Sequence, residues 1–420
     1  MTTRTLKKWS DFRIIDFAKI KGGKRLPKGE FVQDEKTAHP YIRVTDMFSD
    51  RLDTSKIKYI TDTQFEKIKR YTISSDDVYV SNAGTIGLVG KVSKLLSGAN
   101  LTENALKITE MDKSKITQDF LMYFLRSHEG QGQIKARTGG SSQPKLALAR
   151  LADVIIRTPD VATQNEIADI VSSYDNLIEN NTRRIQILEQ TAQATYTEWF
   201  VSFRFPGHEK VKMIDSSTDF GKIPEGWEIK MLSDFFDFLE GPGIRNWQYT
   251  SSGCPFINIR LIKNNDIDIS SANFISTEEA NGKYKHFQLQ KRDMIVSTSG
   301  TLGRSAIVRK EHLPLLLNTS VIRFKPMDGE NYAYMYQFLN ATYFQNKILS
   351  MASGSAQPNF GPIHLKQITM IVPSKKILGS FENLVGPLYA EMLILLSENQ
   401  NLRQSRDLLL PKLVTGKIQV

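Results

Sequence analysis

The sequence is almost without cysteine. One thiol, Cys254, cannot close an internal disulfide or build a thiolate zinc cage, which excludes disulfide frameworks and cysteine-based zinc modules and predicts a reducing, cytoplasmic setting. The six histidines, His39, His128, His208, His286, His312 and His364, have no partners at metal-ligand spacing, and HExxH is missing. No GxxxxGK followed by Ser or Thr occurs; Gly84–Lys91 has the wrong spacing for a phosphate loop. No two prolines are adjacent, so the Asn/Asp-Pro-Pro-aromatic motif of amino-methylating enzymes is missing as well. Glu228-Ile229-Lys230 matches half of a nuclease motif, but the preceding acid, Glu225, is too close to share a metal from a neighbouring strand, and the match is read as chance. No apolar run approaches the roughly eighteen residues of a membrane helix, so no membrane contact is expected. The opening MTTRTLKKWSDF has no apolar stretch of the secretory kind, which again predicts the cytoplasm.

What the chain does have is globular composition and unevenly placed charge. Hydrophobic residues make up 40% and charged residues 24% of 420, a length that predicts two or three domains. Residues 1–159 hold 28 Lys/Arg against 18 Asp/Glu, a net +10, whereas the remainder holds 27 of each. Such a basic domain suits an anionic partner, although surface lysines also serve solubility alone.

Self-comparison is more informative. Ser81-Asn82-Ala83-Gly84-Thr85-Ile86-Gly87 recurs as Ser297-Thr298-Ser299-Gly300-Thr301-Leu302-Gly303, an offset of 216. Gly140-Ser141-Ser142-Gln143-Pro144 recurs as Gly354-Ser355-Ala356-Gln357-Pro358, an offset of 214. Pro40-Tyr41-Ile42 matches Pro255-Phe256-Ile257, and Trp9 and Asp16 match Trp227 and Asp234. A nearly constant offset held along the chain means a tandem duplication of a domain-sized unit.

Each unit has two parts. The first reads as a mixed α/β domain: Tyr41–Val44, Asp77–Val80 and Asp293–Val296 look like strands, Val154–Ile156 and Ile368–Val372 like last strands, and Gln118–Ser127 and Tyr332–Phe344 like helices. The two Gly-x-x-Gly turns are either tight turns after a strand or backbone cradles for phosphate. The second part reads as a long helix. Thr163-Gln164-Asn165-Glu166 has the form of a capping box, and a 4-3 apolar spacing follows through Ile167, Val171, Tyr174, Ile178, Asn181, Ile185 and Leu188. The second copy carries Phe381, Val385, Leu388, Met392, Leu395, Asn399 and Leu402, with Arg406 at a position that would suit an apolar residue. Roughly 35 residues at 1.5 Å each give a rod of about 50 Å, with a short break expected near Ser172-Ser173. Asn181 and Asn399 either fix the register of a helix pair or mark bends.

The expected fold is therefore α+β: two mixed α/β domains separated by a long antiparallel two-helix coiled coil, as a pseudo-two-fold internal duplication. The expected segments are a first head at 1–159, a helical spacer at 160–206, a linker at 207–226, a second head at 227–373 and a second spacer at 374–420. A duplicated, basic chain with a rigid spacer suggests a ruler holding two readers on a duplex. A scaffold binding proteins, and an enzyme with an unrecognised site, are the competing readings.

Residues now carry a resemblance. Pro159–Phe203, with Gln164-Asn165-Glu166-Ile167-Ala168, Leu177-Ile178-Glu179-Asn180-Asn181 and Trp199-Phe200-Val201, resembles the central conserved region of type I restriction-modification specificity (S) subunits. The ending Leu409-Leu410-Pro411-Lys412-Leu413-Val414-Thr415-Gly416-Lys417-Ile418 resembles that family's C-terminus, and the repeated Gly-Ser-x-Gln-Pro pairs fit it too. The second helix departs from the first in having Gly379-Ser380 where the first has Asn165-Glu166. The resemblance implies that each head is a target recognition domain reading half of a split DNA sequence. It implies that the helices dock two modification (methyltransferase) subunits, which hold S-adenosylmethionine, with or without two motor-nuclease restriction subunits. It implies no catalysis and no cofactor in this chain.

Candidate DNA contacts follow from residue chemistry, since arginine can fork to guanine and Asn or Gln to adenine. In the first head these are Lys24 and Arg25, with Lys28, in a Gly/Pro loop, Arg43 and Thr45 after a shared strand, and Ser142, Gln143 and Lys145. In the second they are Arg245 and Asn246, Asn258 and Arg260, Arg304 after the Gly-Thr turn, and Gln357 and Asn359, with Ser355 beside them. The strand positions are equally readable as a solvated outer face, the Gly-Ser-x-Gln-Pro loops as a shared turn, and Arg304 as a surface charge. On the outer faces of the helices, Ile187, Tyr196 and Phe200 are read either as partner-docking surface or as packing on the heads.

Overall fold

The computed structural model describes residues 9–48, 52–140, 144–352 and 359–420. The chain is α+β and folds as two compact units, one comprising residues to Glu179 with Gln400–Val420, the other Asn180–Asn399. Each unit holds one mixed head and a stretch of each of two long helices, Val161–Tyr196 and Lys375–Val414.

The first head carries an antiparallel sheet in the order Lys19–Gly22, Ala105–Thr109, Val78–Ser81, Val89–Gly90. Val78–Ser81 is buried throughout, as a strand covered on both faces requires. A second sheet runs Lys58–Ile60, His39–Ile42, Ala99–Leu101, Thr72–Ile73, with the middle pair parallel. Its strand His39–Ile42 ends two residues earlier than the sequence pattern predicts, because Val44–Asp46 turns into a short 3-10 helix. The helix Gln118–Arg126 buries Phe120 through Leu125 against this framework. Ser10–Arg13 pairs with Ile155–Thr158, closing the head just before the first long helix.

That helix starts earlier than its sequence pattern indicates. Asp160 provides the cap, its carboxylate accepting from the Thr163 amide at 2.9 Å, so Thr163 lies inside the first turn. An aspartate directly after Pro159 offers a charged acceptor at the point where the strand must end, and it displaces the threonine from that role. Gln164 is fully buried and ties the helix to the head, accepting from the Thr117 amide at 2.8 Å and donating to the Lys115 carbonyl at 2.8 Å. The expected break at Ser172-Ser173 is absent. Both hydroxyls bond back to helix carbonyls, Ser172 to Asp169 and Ser173 to Ile170, and the helix continues.

The second head repeats the first. Its main sheet runs Phe236–Glu240, Val321–Pro326, Met294–Ser297, Ser305–Ile307, the same order in the same sense. Glu228–Met231 pairs with Thr369–Val372 as Ser10–Arg13 does with Ile155–Thr158. The helix expected over Tyr332–Phe344 is two helices, Tyr332–Asn340 and Thr342–Met351, with extended Ala341 between them. Ser127 makes the same break between Gln118–Arg126 and His128–Arg137. The 207–226 segment contains a short ladder, Met213–Asp215 with Lys222–Pro224, rather than unstructured linker.

Within each unit the long helices run antiparallel. In the first, Ile167 and Val171 share a core with Leu410, Leu413 and Val414, and Asp175 meets Arg406 at 2.6 Å. In the second, Asn181 donates to Glu398 at 3.3 Å and Arg184 pairs with Glu391 at 2.5 Å, while Ile185 shares a core with Phe381, Val385, Met392 and Leu395. Partner numbers fall along one helix as they rise along the other. Of the expected seam, Ile178 is also buried, whereas Tyr174, Leu188, Leu388 and Leu402 are half-buried. Tyr196 and Phe200 are not docking surface. They pack with Tyr334, Phe381 and Trp227 in the second unit's core, whereas Ile187 is exposed.

The seam asparagines meet the opposite helix, Asn399 donating to the Thr182 hydroxyl at 3.3 Å, which favours register over bending. Asn399 is buried and its Oδ1 has no hydrogen-bond partner among the described residues. The first copy has Ile185 at the aligned position. Asn399→Leu is therefore expected to raise the urea midpoint, by about 1 kcal/mol of stability. A lower midpoint would mean that the Thr182 contact outweighs the orphaned oxygen.

Candidate nucleic-acid interface

In each head the loops at one rim are strung together by backbone hydrogen bonds. In the second head Thr319 donates to the Pro242 carbonyl at 3.2 Å, the Thr298 hydroxyl to the Thr319 carbonyl at 3.3 Å, and Phe360 to the Thr298 carbonyl at 3.2 Å. This chain links the loop after Gly241, the Gly-Thr turn and the segment at Asn359. In the first head Lys24 donates to Leu101, Asn82 to Asn104 and Leu146 to Asn82, at 2.8, 2.9 and 2.9 Å. The same three pieces of chain meet there.

A glycine opens the rim loop in each copy. A Cβ on Gly23 would lie 2.0 Å from the Thr102 carbonyl oxygen, and one on Gly241 would lie 2.4 Å from the Asn318 amide nitrogen. Only glycine lets the backbone cross the strand end this closely.

The Gly-x-x-Gly turns are tight turns that the chain's own side chains hold in place. Ser81 Oγ donates to the Thr85 carbonyl and accepts from the Leu88 amide, and Ser297 does the same with Thr301 and Arg304. Gln131 Nε2 then donates to the carbonyls of Gly87 and Leu125, as Gln345 does to Gly303 and Leu339. Leu125 and Leu339 lie in the last turns of their helices, so the break at Ser127 and Ala341 frees the carbonyls that these glutamines take.

The candidate residues fall on this framework as follows. Lys24, Arg25 and Lys28 are exposed on the first rim loop. Lys24 lies 5.9 Å from the Tyr71 ring centre, and Arg25 Nε donates to Glu103 at 2.6 Å. Burial pushes the Glu103 carboxyl up, but Arg25 and Thr102 outweigh this and hold it below the usual carboxylate range. Lys145 is exposed next to the turn. Ser142 and Gln143, and likewise Ser355 and Gln357, lie outside the described residues. In the second head Arg245 and Asn246 are exposed on the rim loop and Asn359 is exposed where it bridges to Ser299. Asn258 Oδ1 accepts from both the backbone N and the Nε of Arg260, at 3.1 and 3.3 Å. That leaves the terminal nitrogens of Arg260 without a partner among the described residues. Arg304 Nη1 donates to the carbonyl of Ile262, two residues after Arg260, at 3.3 Å.

Arg43 is engaged within its own loop. Its Nε and one terminal nitrogen fork onto the buried Asp46 carboxylate at 3.1 and 2.6 Å, and the latter also donates to the Lys56 carbonyl at 3.1 Å. Thr45, its exposed neighbour, stands at the surface. Each rim loop also carries an exposed aromatic side chain, Phe31 in the first head and Trp247 in the second. Glu228 and Lys230, the half-matched nuclease pair, are bonded to one another at 2.6 Å. Among the described residues no group of three or more His, Cys, Asp or Glu could hold a metal, and no helix is long and apolar enough to cross a membrane.

Comparison with known proteins gives a consistent picture. The model of the type I restriction modification DNA specificity domain matches twice, at residues 6–190 and 224–379. The type I restriction enzyme MjaIX specificity subunit of Methanocaldococcus jannaschii is 25% identical over 99% of this chain and 94% of its own length. The HindI specificity subunit of Haemophilus influenzae is 25% identical over 74% of this chain and 80% of its own. A crystal structure of a type I restriction-modification S subunit from M. genitalium has the same fold, with a TM-score of 0.58 over 98% of each chain at 19% identity.

Proposed function

Because the chain belongs to the type I restriction-modification DNA specificity family, we propose that it is the recognition subunit that gives such a complex its DNA target. It catalyses no reaction of its own. Each head reads one half of a split duplex sequence through its rim, and the paired helices set the gap. Two methyltransferase subunits, which bring the S-adenosylmethionine, dock on the exposed helix faces, and two restriction subunits join where the system has them. The work is done in the cytoplasm.

One observation carries this reading. The rim is built from the same pieces of chain in both copies but carries different side chains: Lys24, Arg25 and Lys145 in one, Arg245, Asn258, Arg260, Arg304 and Asn359 in the other. A shared frame with exchanged hydrogen-bonding groups is what two readers of different half-sites need. The test is to bind the complex with its methyltransferase subunits to random-sequence duplexes and sequence what is retained. Two short blocks at a fixed gap support the reading; a single contiguous block, or no enrichment, overturns it.

The first head, at +10 against +3 for residues 227–373, supplies more of the salt-dependent affinity. Replacing Lys24 and Arg25 together by alanine is expected to reduce the slope of log affinity against log salt by about 1 to 2. The smaller figure applies if Glu103 already neutralises Arg25. An unchanged slope would remove both residues from the phosphate contacts.

A further inference from the structure

Phe31 and Trp247 are each 80% exposed. One exposed aromatic on a surface carries little meaning, since folded proteins leave many apolar atoms in water. Here one occurs on each of the two rim loops, which open at Gly23 and at Gly241.

Both loops are also tied to a helix. A short helix stands behind each, Asp62–Ile68 in the first head and Thr277–Asn281 in the second. Hydroxyls at equivalent positions cap them, Thr61 accepting from Gln64 and Ser276 from Glu279. The third residue of each helix then ties the loop. Gln64 Nε2 donates to the Phe31 carbonyl at 3.2 Å, and Glu279 Oε1 accepts from the side chain of Gln248, the neighbour of Trp247, at 3.0 Å. Gln248 is buried and also donates to Tyr284 at 2.9 Å. Each loop is thus tied from behind while its ring stands in solvent, with an exposed cation two or three residues earlier in the chain, Lys28 in one head and Arg245 in the other.

We propose that Phe31 and Trp247, one on each rim loop, are DNA-contacting residues, each wedging its ring against the base stack of its own half-site. A rigid loop presents the aromatic without an ordering cost on binding, the neighbouring cations neutralise phosphates, and the ring gains apolar contact as a base step partly opens. Such a contact reads the deformability of a step and not its edge, so it adds selectivity beyond the hydrogen-bonding side chains of the rim. The difference between phenylalanine and the larger tryptophan, which also has an N–H to donate, lets the two half-sites favour different steps.

This inference rests on the recognition function proposed above, and the experiment separates the two. The complex with its methyltransferase subunits is measured on its selected duplex and on random duplex, as wild type, Phe31→Ala, Trp247→Ala and Trp247→Phe. A second duplex series carries 2-aminopurine at single positions of the half-sites. Each alanine variant is expected to bind the selected duplex about ten- to a hundred-fold more weakly, with little change on random duplex. Trp247→Phe is expected to retain most of the affinity. The wild type is expected to raise 2-aminopurine fluorescence at one step per half-site, and the matching alanine variant to abolish that rise. Alanine variants that bind and fluoresce like the wild type overturn the wedge and leave the recognition function standing. Alanine variants that lose their methyltransferase subunits without DNA overturn it in favour of a protein contact. A wild-type complex that selects no duplex overturns both readings.

Discussion

Asp175→Ala is expected to lower the stability of the first unit by about 3 kcal/mol. The Asp175 carboxylate accepts from Arg406 at 2.6 Å and from the Tyr123 hydroxyl at 2.9 Å, and Arg126 lies 3.7 Å away. The side chains of Arg406 and Arg126 are each 13% exposed and that of Asp175 21%, so water replaces the lost carboxylate poorly. Alanine leaves Arg126 without a carboxylate and Arg406 with only the exposed Asp407, 2.9 Å away, and removing one partner of a buried pair is costly for that reason. Replacing Asp175 and Arg406 together by leucine is expected to recover most of the loss, since both charges then go. A urea series on the wild type, each single variant and the double variant measures the coupling. A single-variant loss below about 0.5 kcal/mol would mean that solvent already screens the cluster.

Arg260→Ala is expected to weaken specific binding by roughly 1–3 kcal/mol and to relax selection in one half-site only. Asn258 orients the guanidinium through its Nε, and its terminal nitrogens remain available in the geometry that forks onto guanine. The matching change at Arg43 has a different expected outcome, because that fork is already closed on Asp46. Arg43→Ala loosens its loop and affects stability before selectivity. Binding to duplexes with single base changes separates these cases. An equal loss for Arg260→Ala on every duplex would reassign it to a phosphate.

Much of this architecture is visible in the sequence, because duplication doubles every signal. The offset near 215 residues aligns the strands, the Gly-Thr turns and the tryptophans, and the 4-3 apolar spacing marks both long helices. What is not visible depends on side chains meeting across the fold. Arg406 looks like a flaw in an apolar seam until Asp175 and Tyr123 are found beside it. Tyr196 and Phe200 look like a docking stripe, yet they follow the helix into the second head, where the Trp227 ring centre lies 5.8 Å from that of Phe200. Ser172-Ser173 suggests a break by composition, but hydroxyls that bond back along the helix leave it intact. At the rim, residue type alone selects Arg43 and Arg260 together. Only the position of Asp46 separates a loop clamp from an available fork. Phe31 and Trp247 escape notice because an isolated aromatic in sequence is most often a core residue.

The duplicated fold gives the account its most direct test. A chain in which residues 227–373 are replaced by a second copy of residues 9–159 carries the same reader twice on an antiparallel helix pair. Assembled with the methyltransferase subunits and presented with random-sequence duplexes, it should retain DNA holding the first half-site twice, as an inverted repeat, with the gap of the wild-type target unchanged. Retention of the original asymmetric target, with its second half intact, would show that sequence choice does not reside in the heads.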